Sequence, residues 1–435
     1  MKLSRHVAVS ALLLGCLHAT ASIAATEKPA PAQDKAQQNV IIDTRPSAFY
    51  NGWPEQAGAP SGHEPGALNL AATWLNEMND TQLSHWLQQH QVTPATQVSL
   101  YGRTEQIDAV KARLNKLGFH NVTYLADALN QTRPLQRLPH FEQLVYPGWI
   151  HALQNGQTVT AAPAGEWRVL EVAWGAPKQY LISHIPGAGY LDTNDIESEP
   201  LWNKVSDDKL KALMAKLGVR HDTTVILYGR DVYAAARAAQ IMLYAGVKDV
   251  RLLDGGWRAW SDAGLPVERG LPPDVKPAAD FGAPVPGQPQ LILSQPQAKA
   301  LLNRRDASLV SIRSWPEFIG ETSGYSYIKP KGEIAGARWG HAGSDSTHME
   351  DFHNPDGTMK SADDIAAMWK AWHITPDQQV SFYCGTGWRA SETFMYARAM
   401  GWKNISVYDG GWYEWSSEAG NATVSGERGP DSSWK

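Results

Sequence analysis

Short apolar runs alternate along this chain with longer stretches whose apolar positions recur at helical spacing. "VSLY" before Gly102, "VILY" before Gly229 and "VSFY" before Cys384 are compact β-forming runs, each ending in tyrosine. A helical stretch follows each of them: "EQIDAVKARLNKLG", "AAARAAQIMLYAG" and "ASETFMYARAMG". In the last, Ala390, Phe394, Ala397 and Gly401 fall on one helical face. Gly246 and Gly401 stand where a helix end favours glycine. "VKDVRLL" and "WKNISVY" then read as further strands.

The alternation is an internal repeat. From Tyr101 to Asp127, from Tyr228 to Asp254 and from Tyr383 to Asp409 the spacing is 26 positions each time. The second and third copies carry the strongest marks, "LLDGGWRAWSDAGLPVERG" from Leu252 and "VYDGGWYEWSSEAGNATVSGERG" from Val407. Upstream, each copy has a turn rich in glycine or proline, "GHEPGALNL", "SHIPGAGYL" and "GEIAGARWG". Before the turn comes a strand end, in "VIIDTRPSAFYNG", "RVLEVAW" and "SLVSIRSWPEFIG". The prolines of "GLPPDVKPAADFGAPVPGQPQ" mark Gly270 to Gln290 as a linker. The expected fold is α/β, with three tandem domains over residues 27–148, 149–270 and 285–428. Each domain is expected to be a parallel sheet flanked by helices. Reactive groups in such sheets gather at the carboxyl ends of strands, where Cys384 falls.

Charge and the N-terminus narrow the setting. Net charge is −5, from 39 basic and 44 acidic residues, so neither a nucleic-acid nor an anionic-membrane partner is indicated. Lys2 and Arg5 precede an apolar stretch, Val7 to Leu17, too short to span a bilayer. Small residues follow, so residues 1–24 read as an export signal cleaved after Ala21 or Ala24. A periplasmic location is therefore expected, with a cytoplasmic fraction if some chains stay inside. Cys16 in "LLLGC" leaves a lipoprotein signal as the alternative, against which Leu14 is atypical. With the signal removed, one of the two cysteines remains, no internal disulfide is possible, and the single thiol reads as reactive.

That thiol sits in "SFYCGTGWRAS". Gly385 and Gly387 let backbone N–H groups turn inward. The helix after the loop points its positive end at Cys384, which contributes about 0.3–1 kcal/mol. At 1.36 kcal/mol per pKa unit this alone does not make a reactive thiolate, so several N–H groups and Arg389 are expected to add to it. Arg389 opposes the helix dipole and so reads as answering an anion. His341, His348 and His353 lack a tight metal spacing and read as loop or substrate-entry histidines, not ligands. A cysteine phosphatase needs five residues between cysteine and arginine; Cys384 and Arg389 have four.

The repeats resemble rhodanese-like sulfurtransferase domains. "SIRSWPEFIG" and "GEIAGA" are similar to that family's strand-and-turn signature, and "CGTGWR" to its six-residue active-site loop. Three such domains behind a signal, with a cysteine only in the last, are similar to the three-domain members of enteric bacteria. The resemblance implies a cradle-shaped, five-stranded parallel sheet in each domain and a persulfide on Cys384, with no cofactor and no metal. It implies thiosulfate, mercaptopyruvate or a persulfide as the small-molecule sulfur donor. Gly385, Thr386, Gly387, Trp388 and Arg389, with Arg313 as a weaker companion, are the substrate-binding candidates it gives. A salt bridge to Glu317 is the other reading of Arg313. Two departures stand out: Ser311 replaces a frequent aspartate, and Trp388 is bulky where small residues are common. Gly102 and Gly229 stand at the cysteine position of copies one and two, which are expected to be inactive. The competing class is a partner-binding scaffold that relays sulfur to a protein acceptor, for example a molybdopterin synthase-type carrier.

Overall fold

The computed structural model describes residues 39–130 and 132–432. The expected signal, residues 1–24, lies outside the described residues. Each copy of the repeat builds one parallel sheet. The second has the order Leu144–Val145, Asp249–Leu253, Thr224–Tyr228, Trp167–Ala173, Gly189–Asp192. The third has the same order, Ile292–Leu293, Ile405–Tyr408, Gln379–Tyr383, Ala307–Ser311, Arg338–Trp339. The first sheet has four described strands and not the five implied by the resemblance: Leu68–Asn69, Asn39–Asp43, Gln97–Tyr101 and Val122–Tyr124. In copies two and three the extra edge strand comes from residues just ahead of the repeat.

The helices after the central strands do not have the single apolar face of a surface helix. Val232–Ala245 is buried from Ala234 to its end, and Trp388–Ala399 is buried on nearly every side. Each lies on its own sheet and on the other helix, so a continuous apolar core runs through both domains. The alanines of "AAARAAQ" permit this, because small side chains let two buried helices approach closely. Gly246 (φ 115°) and Gly401 (φ 84°) follow the two helices in the left-handed conformation expected of them.

The first domain has its own core around Ile42, Leu100 and Val110. It docks on both neighbours: Trp53 Nε1–H donates to Leu144 O (2.8 Å), and Trp74 Nε1–H to Asp356 (2.8 Å).

Candidate active site

Cys384 follows Gln379–Tyr383, the middle strand of the third sheet, and opens a loop of four residues before the helix starts at Trp388. It is the one free cysteine among the described residues and is 1% exposed. One N–H reaches its sulfur, that of Gly387 at 3.1 Å. Gly387 has φ 114°, the left-handed conformation that turns the N–H inward. The turn Asp409-Gly410-Gly411-Trp412 braces the loop from below. Trp412 N–H donates to Cys384 O (2.8 Å) and Tyr413 N–H to Gly385 O (3.1 Å). A Cβ on Gly411 would lie 2.6 Å from Cys384 O, which explains the second glycine of the repeated Asp-Gly-Gly-Trp. A Cβ on Gly385 would lie 2.2 Å from the Tyr325 ring, so that ring packs directly on the loop.

A chain of buried charges runs beneath. Arg389 does answer an anion, but an internal one: its two terminal nitrogens bind the two oxygens of Glu317 at 2.9 Å each. Arg389 also donates to Tyr325 Oη (2.9 Å). Burial favours a neutral Glu317, yet the Arg389 and Arg313 guanidiniums and the Ser314 N–H hold its carboxyl at about 2. Arg313 is fully buried, 3.5 Å from Glu317 and 3.1 Å from Glu333, and donates to Gly332 O (2.7 Å). The structure thus puts Arg313 inside an ion-pair network and not at a cavity wall. Glu333 takes over for the missing aspartate at Ser311: it accepts from Ser311 Oγ (2.6 Å) and from Tyr383 Oη. In the other copies the acid sits on the strand, as Asp43 and Glu171, and His63 and His184 stand where Glu333 does.

The second domain reaches into this site. Glu197 Oε1 accepts from Trp388 Nε1–H (2.6 Å), and its other oxygen pairs with Arg237 (3.1 Å). Arg237 also grips Asp409 of the bracing turn at 2.6 Å, and Lys204 N–H donates to the same carboxylate (2.9 Å). The remaining Arg237 nitrogen, Nη1, has no acceptor and lies where a Cβ on Gly387 would be 2.9 Å away. Burial pushes the Glu197 carboxyl up to about 7, against the pull of Arg237 and Trp388.

Between the two domains lies a cavity of about 670 Å³. Thr386, Trp388 and Arg389 form one side of it, with Tyr325 and Tyr327; Trp174, Glu197, Glu199 and Trp202 face them. Of the substrate-binding candidates, Thr386, Trp388 and Arg389 therefore meet at the cavity, while Gly385 and Gly387 shape the loop behind it. His348 pairs with Asp345 (2.7 Å) and His353 with Glu392 (2.5 Å) in the segment that follows. Sequence reasoning passed over Tyr325, Tyr327, Glu333, Glu197 and Arg237. One signal was available: an arginine within "AAARAAQIML" has to find a buried anion.

The fold and the cysteine loop together define a class. The profile of the rhodanese-like domain matches residues 28–132, 158–263 and 294–418, and the chain belongs to that family. It is 69% identical over 434 residues, the full length of both chains, to "Thiosulfate sulfurtransferase YnjE" of Escherichia coli. The crystal structure of YnjE superposes with a TM-score of 0.90 at 73% identity, over 91% of this chain and 95% of that one. "Sulfur carrier protein TtuD" of Thermus thermophilus is 30% identical over 294 residues, 66% of this chain and 98% of its own. EanB superposes with a TM-score of 0.86 at 36% identity, over 91% of this chain and 95% of its own. EanB variants altered at a tyrosine 59 positions before its persulfide cysteine, and at a threonine two positions after it, form complexes with ergothioneine or hercynine. Tyr325 and Thr386 stand at those same spacings from Cys384.

Proposed function

We propose that this chain is a thiosulfate sulfurtransferase working through a persulfide on Cys384. The observation that carries the proposal is the Cys384 sulfur itself, held by the Gly387 N–H at the end of a central strand and beside an interdomain cavity. The thiolate attacks the outer sulfur of thiosulfate. A new S–S bond forms, the old one breaks, and sulfite leaves with its electron pair. An acceptor such as cyanide then attacks the outer sulfur of the persulfide, thiocyanate departs, and the Cys384 thiolate is restored. Mercaptopyruvate serves as a donor by the same attack, with pyruvate as the leaving group after protonation. Arg389, tied to Glu317, holds the Tyr325 hydroxyl at the cavity, and Thr386 lines the same wall.

Cys384→Ser and Cys384→Ala are expected to abolish sulfur transfer from thiosulfate to cyanide; wild-type rates in either would overturn the mechanism. A second reading, relay of the persulfide to a protein acceptor, draws support from the likeness to TtuD. It predicts transfer of radiolabelled sulfur from loaded protein to a carrier at rates above those to cyanide. We also propose export, from the pattern of residues 1–24. A mature protein that begins at Ser22 or Ala25 in a periplasmic fraction tests it.

A further inference from the structure

A second cavity lies at the opposite end of the third sheet from Cys384. The strands Gln379–Tyr383 and Ile405–Tyr408 begin at its wall. At 3.3 Å per residue, about 17 Å of strand separates Gln379 from Cys384. The cavity holds about 620 Å³, a volume that encloses a small organic molecule. Its other walls are the end of the helix Trp388–Ala399 and the connecting residues His140, Gln143, Gln288 and Gln290. Three apolar side chains, Leu291, Trp402 and Ile405, face five amides there, so an apolar ligand gains little in it.

Three of the lining residues carry a buried polar atom with no hydrogen-bond partner among the described residues: Gln143 Oε1, Arg398 Nε and Ser406 Oγ. Ser406 is 2% exposed. One such atom is satisfied by a water, but three on one cavity wall fit a larger polar ligand. Arg398 occupies the last turn of its helix, where the carbonyl ends favour a cation. That accounts for its charge and not for its buried Nε. Burial lowers its pKa, which the charge of Glu142 offsets in part, but Glu142 pairs with His140 (3.3 Å).

The charges on the wall do not cancel. Arg304 is held by both oxygens of Asp306, at 2.9 and 2.8 Å. Asp377 is exposed and accepts from the Thr375 hydroxyl. Arg398 and the exposed Lys403 have no ion-pair partner among the described residues. A guanidinium fork beside an ammonium matches a phosphate monoester, whose charge is close to two at neutral pH. A single carboxylate answers one cation only. Gln143 Oε1 asks for a donor and Ser406 Oγ takes either role, which hydroxyl groups supply.

We propose that this cavity binds a phosphorylated polyol or sugar. Arg398 and Lys403 hold the phosphate, and Gln143 and Ser406 hold hydroxyls. The ligand sits behind the sheet, away from the sulfur chemistry, and ties the third domain to the segments that connect it to the others.

Calorimetry on the full chain with glucose 6-phosphate, glucose, gluconate and inorganic phosphate tests this. Glucose 6-phosphate should bind about tenfold tighter than glucose or gluconate, the worth of a charged hydrogen-bonded contact. It should also bind tighter than inorganic phosphate, and it should raise the melting temperature. Arg398→Gln should weaken glucose 6-phosphate binding about tenfold. Lys403→Gln, at an exposed position, should weaken it by a smaller factor, and Ser406→Ala should do so without changing the affinity for inorganic phosphate. All three variants should keep the wild-type rate of thiosulfate:cyanide transfer, and glucose 6-phosphate should leave alkylation of Cys384 by iodoacetamide unchanged. No binding of glucose 6-phosphate, gluconate binding as tightly, or wild-type affinity in both Arg398→Gln and Lys403→Gln would overturn the proposal. Protection of Cys384 from alkylation would place the ligand in the other cavity and overturn it as well.

Discussion

Gly229 and Cys384 follow the central strands of the second and third sheets, and each gives its carbonyl to the turn that follows the next strand. Trp257 N–H meets Gly229 O at 2.9 Å, and Trp412 N–H meets Cys384 O at 2.8 Å. Gly256 and Gly411 take the same left-handed backbone, at φ 58° and 54°. The scaffolds match; the loops do not. Three residues, 229–231, join strand to helix in the second domain, and four, 384–387, in the third. In the shorter loop a Cβ on Gly229 would lie 2.5 Å from Asp231 O and 3.0 Å from Val172 O, so there is no space for a thiol. The first domain is shorter still, with residues 102–103 between strand and helix and Thr44 Oγ1 2.2 Å from a Cβ on Gly102. Losing the cysteine and losing the room for it go together.

The copies without a thiol have a different use. The second domain covers the open side of the helix Trp388–Ala399, and Glu197 and Arg237 fasten Trp388 and the bracing turn. The comparison can be broken at four points, loss of activity first and then changes in stability. Cys384→Ala should reduce thiosulfate:cyanide transfer to background, while the full chain keeps its far-ultraviolet dichroism. Adding Gly229→Cys to that variant should restore no activity and should lower stability by about 1–3 kcal/mol in urea unfolding, as overpacking does. Recovery of transfer would show that loop length is unimportant.

The third point is the arginine beside each loop. Arg389→Met leaves Glu317 buried without its bidentate partner, and loss of one member of such a pair costs about 3–5 kcal/mol. Arg230→Met in the second copy should cost clearly less. Arg230 lies 3.3 Å from Glu171 and is partly exposed, and burial already pushes the Glu171 carboxyl up, so that it can take a proton. Similar losses in urea unfolding for the two variants would erase the distinction.

The fourth is a pH effect at the interface. Glu197 has its carboxyl raised by burial from 4.5 to about 7. The folded chain therefore binds that proton more tightly than the unfolded chain, and its stability falls as pH rises through this window. Asp254, which accepts from Met359 N–H (2.8 Å) across the same pair of domains, is raised by burial to about 7 and acts with the same sign. The melting temperature should decline between pH 5 and pH 8, and Glu197→Gln should flatten part of the decline. An identical slope in that variant would remove Glu197 as the cause.

What the sequence disclosed follows from range along the chain. The Cys384 loop, the glycine after each long helix and the Asp-Gly-Gly-Trp turns are local, and their backbone demands were legible in the residues themselves. The partner of Arg389 was not. Spacing of four residues gave Glu317 for Arg313, and that pair forms at 3.5 Å, but tertiary packing also brings Arg389, 72 positions away, onto both Glu317 oxygens. The departure at Ser311 was visible, yet its compensation by Glu333 appears only once a turn 22 positions on folds against the strand. The face defined by Ala390, Phe394 and Ala397 is real, but the opposite face is buried too, because a second domain lies on it. Tyr325 belongs to a stretch without periodicity, and nothing local marks it as touching Gly385.

The central claim, that sulfur travels on Cys384, is tested most directly by intact-mass and peptide mass spectrometry of the full chain after incubation with thiosulfate and removal of excess reagent. The account predicts a gain of one sulfur atom, about 32 Da, located on the peptide containing Cys384, lost on addition of cyanide and absent from Cys384→Ala. A chain that never gains this mass, or gains it elsewhere, would contradict it.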